Sequence, residues 1–525
     1  MTEDNANENP SPLDAVRRYV PLAVWAIVIL VILAIPLKII SYGYLPADDV
    51  MRHAAKAVSG KPWPEILVTG PAFQIDHNYG WHFLLRQIYL RIKSDHAAHD
   101  AENLALISMV ALFVLAGWSA LPWLKRPEAW LIALLAMALT SDILGRFLLG
   151  RPFVLTIVGL LTMLFAWQAH GTSPPKWWTA VWMAAVVAVC TFVHGVWYLW
   201  ALPVAAFFLA GQFRWSGLLL VGWVAGALLG ASFTGHPFVC LGQAVVMASR
   251  AFGLHTTQRT LVSEFQPSSG DVMALIILGG LLILRQMAGL KARRLSANPA
   301  FWLAVLTWVL SFKATRFTED WGLPALMVLI ACDLQLLLEA RFAADSLRRL
   351  GLAVILAAAV FLAATNDGGS RWTYNLTQQY LTTAEHPELK GWMPDKGGIL
   401  YSAEMTLFYQ TFFKNPTGDW RYILGYEPAL MADEDFQVYH KVMWNLGDAK
   451  AYEPWIKKMR PEDRLIIHGS RGAPPNIPQL DWEYGITGTW IGRVPRTNTP
   501  PDELPPTFPA TAAAGDPTNA VNLLK

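Results

Sequence analysis

The chain has 525 residues; 54% are hydrophobic, only 15% are charged, and 24 are tryptophan. A soluble domain carries about a quarter charged residues, so composition points to a membrane protein whose tryptophans sit at two lipid–water interfaces. A formal net charge of +2 argues against nucleic acid as a partner, and three distant cysteines, Cys190, Cys240 and Cys332, argue against a disulfide framework or a thiolate metal cluster.

A membrane helix needs about 20 apolar residues. Eleven windows fit: Val20–Ile40, Leu104–Leu124, Ala129–Ile143, Pro152–His170, Trp177–Val193, Val196–Gln212, Gly217–Phe233, Val272–Leu284, Pro299–Phe312, Leu323–Leu338 and Gly351–Thr365. The first is too long, and lacks the small-residue exit, to be a cleavable signal. Arg17 and Arg18 precede it, and alternate turns carry Lys125–Arg126, Lys176, Arg214, Arg285 with Lys291, Arg293 and Arg294, and Arg341 with Arg348 and Arg349. Basic short loops face the cytoplasm. The expectation is therefore a multi-pass protein of the inner (plasma) membrane, with a cytoplasmic N-terminus and an extracytoplasmic (periplasmic) C-terminal part. Inner turns are short and basic; outer segments are long and mixed in charge, so function is expected on the outer face.

The first outer segment is Ser41–Asp100. Asp48 and Asp49 stand just past the first span, and DDVMRHAAKAV puts Val50, Ala54, Ala57 and Val58 on one face and Arg52, His53 and Lys56 around the other. That pattern predicts a helix lying on the bilayer surface, its two carboxylates favourably placed at the N-terminus. QIDHNYGWHFLLRQIYLRI, Gln74–Ile92, reads as a second interfacial helix with Asp76 and His77 at its start. Interfacial helices are thus expected within 41–101. Further along, Arg146 and Arg151 flank the fourth span, His194 ends the fifth, Glu264 lies in the Gly235–Asp271 loop, and Lys313 and Arg316 meet the outer face with Glu319 and Asp320. Arginine forks match phosphate oxygens, so Arg146, Arg151, Lys313 and Arg316, with His194, would form an anion site at lipid-phosphate depth if they converge.

After about Asn366 the chain reads as a small α/β unit over 367–494. Strands are expected at Gly397–Ser402, Arg421–Tyr426 and Arg464–Gly469, helices at Ala403–Phe413 and Asp433–Gly447, and a hairpin within Trp482–Val494. Residues 495–525 are proline-rich with few large apolar groups and are expected to be disordered. Asn375-Leu376-Thr377 is a glycosylation sequon by pattern.

Asp48-Asp49 after the first span, the helices of Ser41–Asp100, the outer His, Arg and Glu positions and the α/β tail together resemble the GT-C superfamily of integral-membrane glycosyltransferases. The resemblance covers about residues 15–365 and is architectural. The WWD-type motif of oligosaccharyltransferases is absent from the tail. The resemblance implies an all-α polytopic membrane domain (residues 1–366, about 11 transmembrane helices) followed by the extracytoplasmic α/β domain. It implies inverting transfer of a sugar from a polyprenyl-phosphate donor to a hydroxyl of a lipid, glycan or protein acceptor. One of Asp48 and Asp49 would be the general base; Arg146, Arg151, Lys313, Arg316 and His194 would contact the donor phosphate; Glu264, Asp76 and His77 would orient the acceptor or hold a metal. The resemblance leaves metal dependence open: Asp48, Asp49 and Glu264 could hold a divalent ion, Mg or Mn, through oxygen. Rival readings are a transporter or flippase of an anionic or lipid-linked substrate, and a polysaccharide polymerase or ligase.

Overall fold

The computed structural model describes residues 17–495 except 47–48, 72, 74, 141–142, 171–172, 252–265, 268–271, 290–293, 377, 446–447, 470–471 and 487. Asp48 and Glu264 lie outside the described residues, as does the tail beyond 495.

Among the described residues, six helices are long and apolar enough to cross a membrane: α1 (Val20–Ser41), α5 (Ala97–Trp118, extended by a further turn to Trp123), α8 (Phe153–His170), α11 (Phe213–Ser232), α15 (Leu323–Arg341, entered through a π-helical turn at Thr318–Gly322) and α16 (Leu347–Thr365). The other five expected spans are shorter apolar helices: α6 (Glu128–Thr140), α9 (Trp178–His194), α10 (Ala201–Leu209), α13 (Val272–Met287) and α14 (Pro299–Ser311). At 1.5 Å per residue, thirteen residues reach roughly 20 Å, short of a core about 30 Å thick. The expected count of eleven spans is therefore not established. A further apolar helix, α12 (Pro237–Ala251), occupies part of the stretch read as an outer loop. Leu22, Leu30, Val181, Val189, Val221, Val224, Ile355 and Leu362 stay exposed on these helices, as a lipid-facing belt requires.

The helices pack closely where small residues allow it. Gly222, Gly226 and Gly230 stand one turn apart on α11 and face α9. A Cβ on Gly226 would lie 2.5 Å from the Ala184 carbonyl, and one on Gly230 would meet the Ala188 carbonyl. Without a hydrophobic drive between helices in lipid, such backbone approach supplies the packing. Gly226→Ala is expected to lower stability by about 1–3 kcal/mol. Gly217→Ala, on the same helix with nothing within 4 Å, is expected to be neutral; thermal unfolding in detergent separates the two.

The basic turns share one end of the bundle. Arg126 donates to the Phe342 carbonyl at 2.6 Å, and Arg349 reaches Glu128 at 2.6 and 3.1 Å. At the opposite end Tyr42 donates to the Thr365 carbonyl and Asn375 to the Leu45 carbonyl. Asn375 is buried by that contact, so its sequon is not displayed.

The C-terminal unit sits at this second end. Its sheet has order β2-β1-β3-β5-β4. Strand β1 (Ile399–Tyr401) runs parallel to β2 (Arg421–Tyr422) and β3 (Arg464–His468); β4 (Asp481–Tyr484) and β5 (Thr489–Arg493) form the expected antiparallel hairpin. Helices α17 (Met405–Lys414) and α18 (Asp433–Trp444) fall where expected. Arg421–Tyr426 is strand over two residues only. Tyr422 is bridged on its outer side by Leu67, and the chain then leaves the sheet toward the outer segment.

Helix α2 (Asp49–Ser59) corrects the surface-helix expectation. Val50, Met51, Arg52, His53, Ala54, Ala55, Ala57 and Val58 are all buried. α2 packs on α5 and on α4 (Tyr79–Ile92) from one side and on α17 from the other, because its alanines let both neighbours approach. The one-turn helix α3 (Trp63–Ile66) and Phe73 join the core of the C-terminal unit. α4 is two-sided: it buries Trp81, His82, Leu85 and Tyr89 and exposes Phe83, Leu84 and Leu90.

Candidate active site

Burying α2 forces its polar side chains to find partners. Asp49, Arg52 and His53 lie at i, i+3 and i+4, hence on one face. That face walls a cavity of about 120 Å³ lined also by His77, Arg151, His194, Arg316 and Tyr426. The cavity sits where otherwise distant segments meet: α2, the His77 loop, the start of α8, the end of α9, α12 and the turn before α15. Tyr426, from the loop leaving β2, closes it.

Arg52 Nε donates to Asp49 Oδ1 at 2.6 Å while its guanidinium lies 3.8 Å from the Tyr426 ring centre. Arg151 Nε stands 3.6 Å from Asp49 Oδ2. Burial raises the Asp49 carboxyl, but Arg52 and Arg151, helped by Arg316, outweigh it and hold the group well below the usual carboxylate range. Asp49 is thus ionised at every physiological pH. Arg52, Arg151 and Arg316 face Asp49 and Glu427 across the cavity; three guanidiniums against two carboxylates leave a surplus positive charge, suited to an anion.

Arg316 is held from behind. Its Nε donates to Asp320 Oδ2 at 2.8 Å, and Asp320 Oδ1 accepts from Arg146 at 2.5 and 3.1 Å. Arg146 also pairs with Glu319 at 2.7 Å. Asp320 sits in the π-helical turn, a local widening that often marks a functional site. Arg146 therefore lies outside the cavity lining and supports Arg316 through Asp320, which corrects its expected direct contact. Lys313 is exposed and not among the lining residues. Arg151, Arg316 and His194 do converge, His194 with its Nδ1 3.4 Å from the Thr156 hydroxyl.

Gly195, which follows α9, adopts φ +63°, and a Cβ there would sit 2.7 Å from the His77 carbonyl; glycine lets His77 close the cavity wall. Gln243 of α12 anchors the same segment: it bonds both backbone groups of Ile75, at 2.7 and 3.1 Å, and donates to His77 Nε2 at 3.2 Å. Burial brings His77 down to about 4, with Asp76 opposing that fall and Arg52 adding to it, so it is a neutral hydrogen-bonding group.

Asp76 faces a neighbouring cavity of about 190 Å³, walled by Trp63, Phe73, Tyr79 and the shared Tyr426, with Lys56 at its edge. Its carboxylate is already committed: Oδ1 accepts from the Asn78 amide and Oδ2 from His82 Nδ1 at 2.5 Å. Among the described residues, no group of three or more His, Cys, Asp and Glu side chains is placed to hold a metal ion.

Arg52, His53, Asp320 and Tyr426 were not singled out as site residues from the sequence, and His82 entered there only as a possible metal partner of His77. The i, i+3, i+4 spacing of Asp49, Arg52 and His53 was available as a signal; Tyr426 carried none, since only the tertiary fold brings it here.

No family model and no curated protein matches the chain. Among solved structures it is similar to the crystal structure of the Archaeoglobus fulgidus oligosaccharyltransferase in the apo form, at 12% identity and a TM-score of 0.48, covering 86% of this chain and 70% of that one.

Proposed function

We propose that this chain is a GT-C-type membrane glycosyltransferase. It moves a sugar from a polyprenyl-phosphate-linked donor to an acceptor hydroxyl at the extracytoplasmic surface, with inversion. One observation carries this reading: Asp49, Arg151, Arg316 and His194 meet in one cavity at the end of the bundle opposite its basic turns. A polyprenyl tail is insoluble and stays in the bilayer, with its phosphate at headgroup depth. A cavity at the ends of spans meets the reacting carbon without extracting the lipid.

Arg151 and Arg316 take the donor phosphate. As the bond from the anomeric carbon to phosphate oxygen breaks, negative charge grows on that oxygen, and preplaced guanidiniums stabilise it. Positive charge develops on the sugar ring at the same time, and the permanently ionised Asp49 carboxylate answers it. The base role expected of Asp49 is weakened by physical chemistry: Arg52 occupies one carboxylate oxygen, and two guanidiniums favour its charged form over its protonated one. Asp48 stands outside the described residues and stays a candidate from sequence.

The test is transfer in membranes carrying the full chain, with a radiolabelled polyprenyl-phosphate hexose as donor probe. Arg151→Gln and Arg316→Gln are expected to raise donor KM and lower kcat/KM by about 10²-fold each, the loss for one charge-stabilising donor. Unchanged kinetics in both variants, or no transfer by the unaltered chain, would refute the reading.

A further inference from the structure

Behind the cavity wall three side chains form a line. His82 Nδ1 lies 2.5 Å from Asp76 Oδ2, and His82 Nε2 lies 2.8 Å from His53 Nδ1. Each comes from a different place: Asp76 from the loop before α4, His82 from α4, His53 from α2. His82 and His53 are buried and Asp76 is half-buried, and the far ring nitrogen, His53 Nε2, has no hydrogen-bond partner although His53 lines the cavity.

Proton counting fixes the direction of this line. An ionised carboxylate only accepts, so His82 donates from Nδ1. A neutral His82 then keeps a lone pair on Nε2, which accepts from His53 Nδ1–H. His53 is left with a bare lone pair on Nε2. We propose that His53 Nε2 is the general base of the transfer, oriented by His82 and Asp76, and that the acceptor is an alcohol seated against it.

This inference rests on the transferase reading and deepens it. In the step, the acceptor oxygen bonds to the anomeric carbon and its proton passes to His53 Nε2. The carbon–oxygen bond to phosphate breaks and its electron pair stays on the phosphate, between Arg151 and Arg316. Burial, Arg52 and Arg151 keep the resting His53 ring neutral, and the imidazolium that forms against them is held by His82 and, through it, by the negative charge of Asp76. Asp49 and His53 thus divide the work: one answers charge on the sugar, the other takes the proton.

A purely structural network would satisfy its last member. A buried acceptor left unpaired is destabilising, and such atoms in native structures call for an explanation. A nitrogen that waits for a substrate hydroxyl supplies one. The order Asp–His–base follows the logic by which a carboxylate holds an imidazole in its accepting tautomer, with a second imidazole between them.

Two measurements test it. Nitrogen NMR of the histidine-labelled full chain, assigned with His53→Gln and His82→Gln, should show His53 protonated at Nδ1 and bare at Nε2 at neutral pH. Asp76→Asn should loosen that preference. A proton on Nε2 overturns the assignment. In the membrane assay with the polyprenyl-phosphate hexose probe, His53→Gln should lower kcat by about 10²–10⁴-fold with little change in donor KM, and added imidazole should restore part of the rate in His53→Gly. Equal rates in His53→Gln and the unaltered chain, or no imidazole rescue, overturn it. If the unaltered chain transfers nothing, the transferase reading fails and the base assignment falls with it, whereas transfer by the unaltered chain separates the two failures.

Discussion

Asparagine at position 49 is expected to cut sugar transfer by about 10²–10³-fold, the scale of losing one preorganised charge at a reacting centre, while the protein still folds. Asp49→Asn keeps an oxygen for Arg52 Nε, 2.6 Å away, so the local hydrogen bond survives. What disappears is a negative charge that Arg52 and Arg151 hold in the ionised state and that, in the proposed transfer, faces the sugar as its ring becomes cationic. Asp49→Ala should be worse in a different way. It removes the oxygen as well, leaving two buried guanidiniums without their shared carboxylate, and yield should fall along with rate. The measurement is initial transfer rate per mole of folded protein, with thermal unfolding as the control. A near-normal rate in Asp49→Asn would remove Asp49 from the chemistry.

The largest stability effect is expected far from the cavity, at the basic end. Glu128 is fully buried and Arg349 is 2% exposed. They form two bonds, 2.6 and 3.1 Å, that tie α6 to α16, and Arg349 also donates to the Ala344 carbonyl. Removing one partner strands the other charge in a low-dielectric setting, at a cost of roughly 3–5 kcal/mol. Glu128→Ala should therefore lower the unfolding temperature sharply and reduce accumulation in the membrane. Replacing both together, Glu128→Leu with Arg349→Met, should recover most of the loss, since a buried pair gains little over well-packed apolar groups. If the double variant is no better than the single one, the pair contributes through something other than charge compensation.

The apolar windows carried most of the helical architecture, because a helix buried in lipid or in other helices must be apolar over a length a reader can count. Window length did not carry the number of crossings. Glu128–Thr140 and Pro299–Ser311 have the right composition but stop after thirteen residues. The tail was legible for a different reason: alternating strands and helices with a terminal hairpin leave short-period patterns, and β1, α17, α18, β3 and the hairpin fall where those patterns put them. Arg421–Tyr426 did so only over Arg421–Tyr422, which pairs with β1 before the chain leaves the sheet.

The site was half legible. Asp49, Arg151, Arg316 and His194 were found from position and charge, and the fold gathers them. Arg146 was found but given the wrong contact, since nothing in a linear sequence says that Asp320 stands between it and the cavity. Arg52 and His53 were read as the wet face of a surface helix. Amphipathic spacing cannot tell water from a second protein layer, and here the Tyr426 loop covers Arg52, and His82 of α4 meets His53. The line from Asp76 through His82 to His53 spans 30 residues, 53 to 82, with no motif to announce it.

A structure of the full chain in lipid, solved with polyprenyl phosphate added, bears on the central reading more directly than any variant. The phosphate should lie within hydrogen-bond reach of Arg151 and Arg316, with the tail running into the bilayer and the free phosphate oxygen turned toward Asp49 and His53. Phosphate held at the opposite, basic end, or a cavity that binds no such lipid while the fold stays intact, would contradict the proposal.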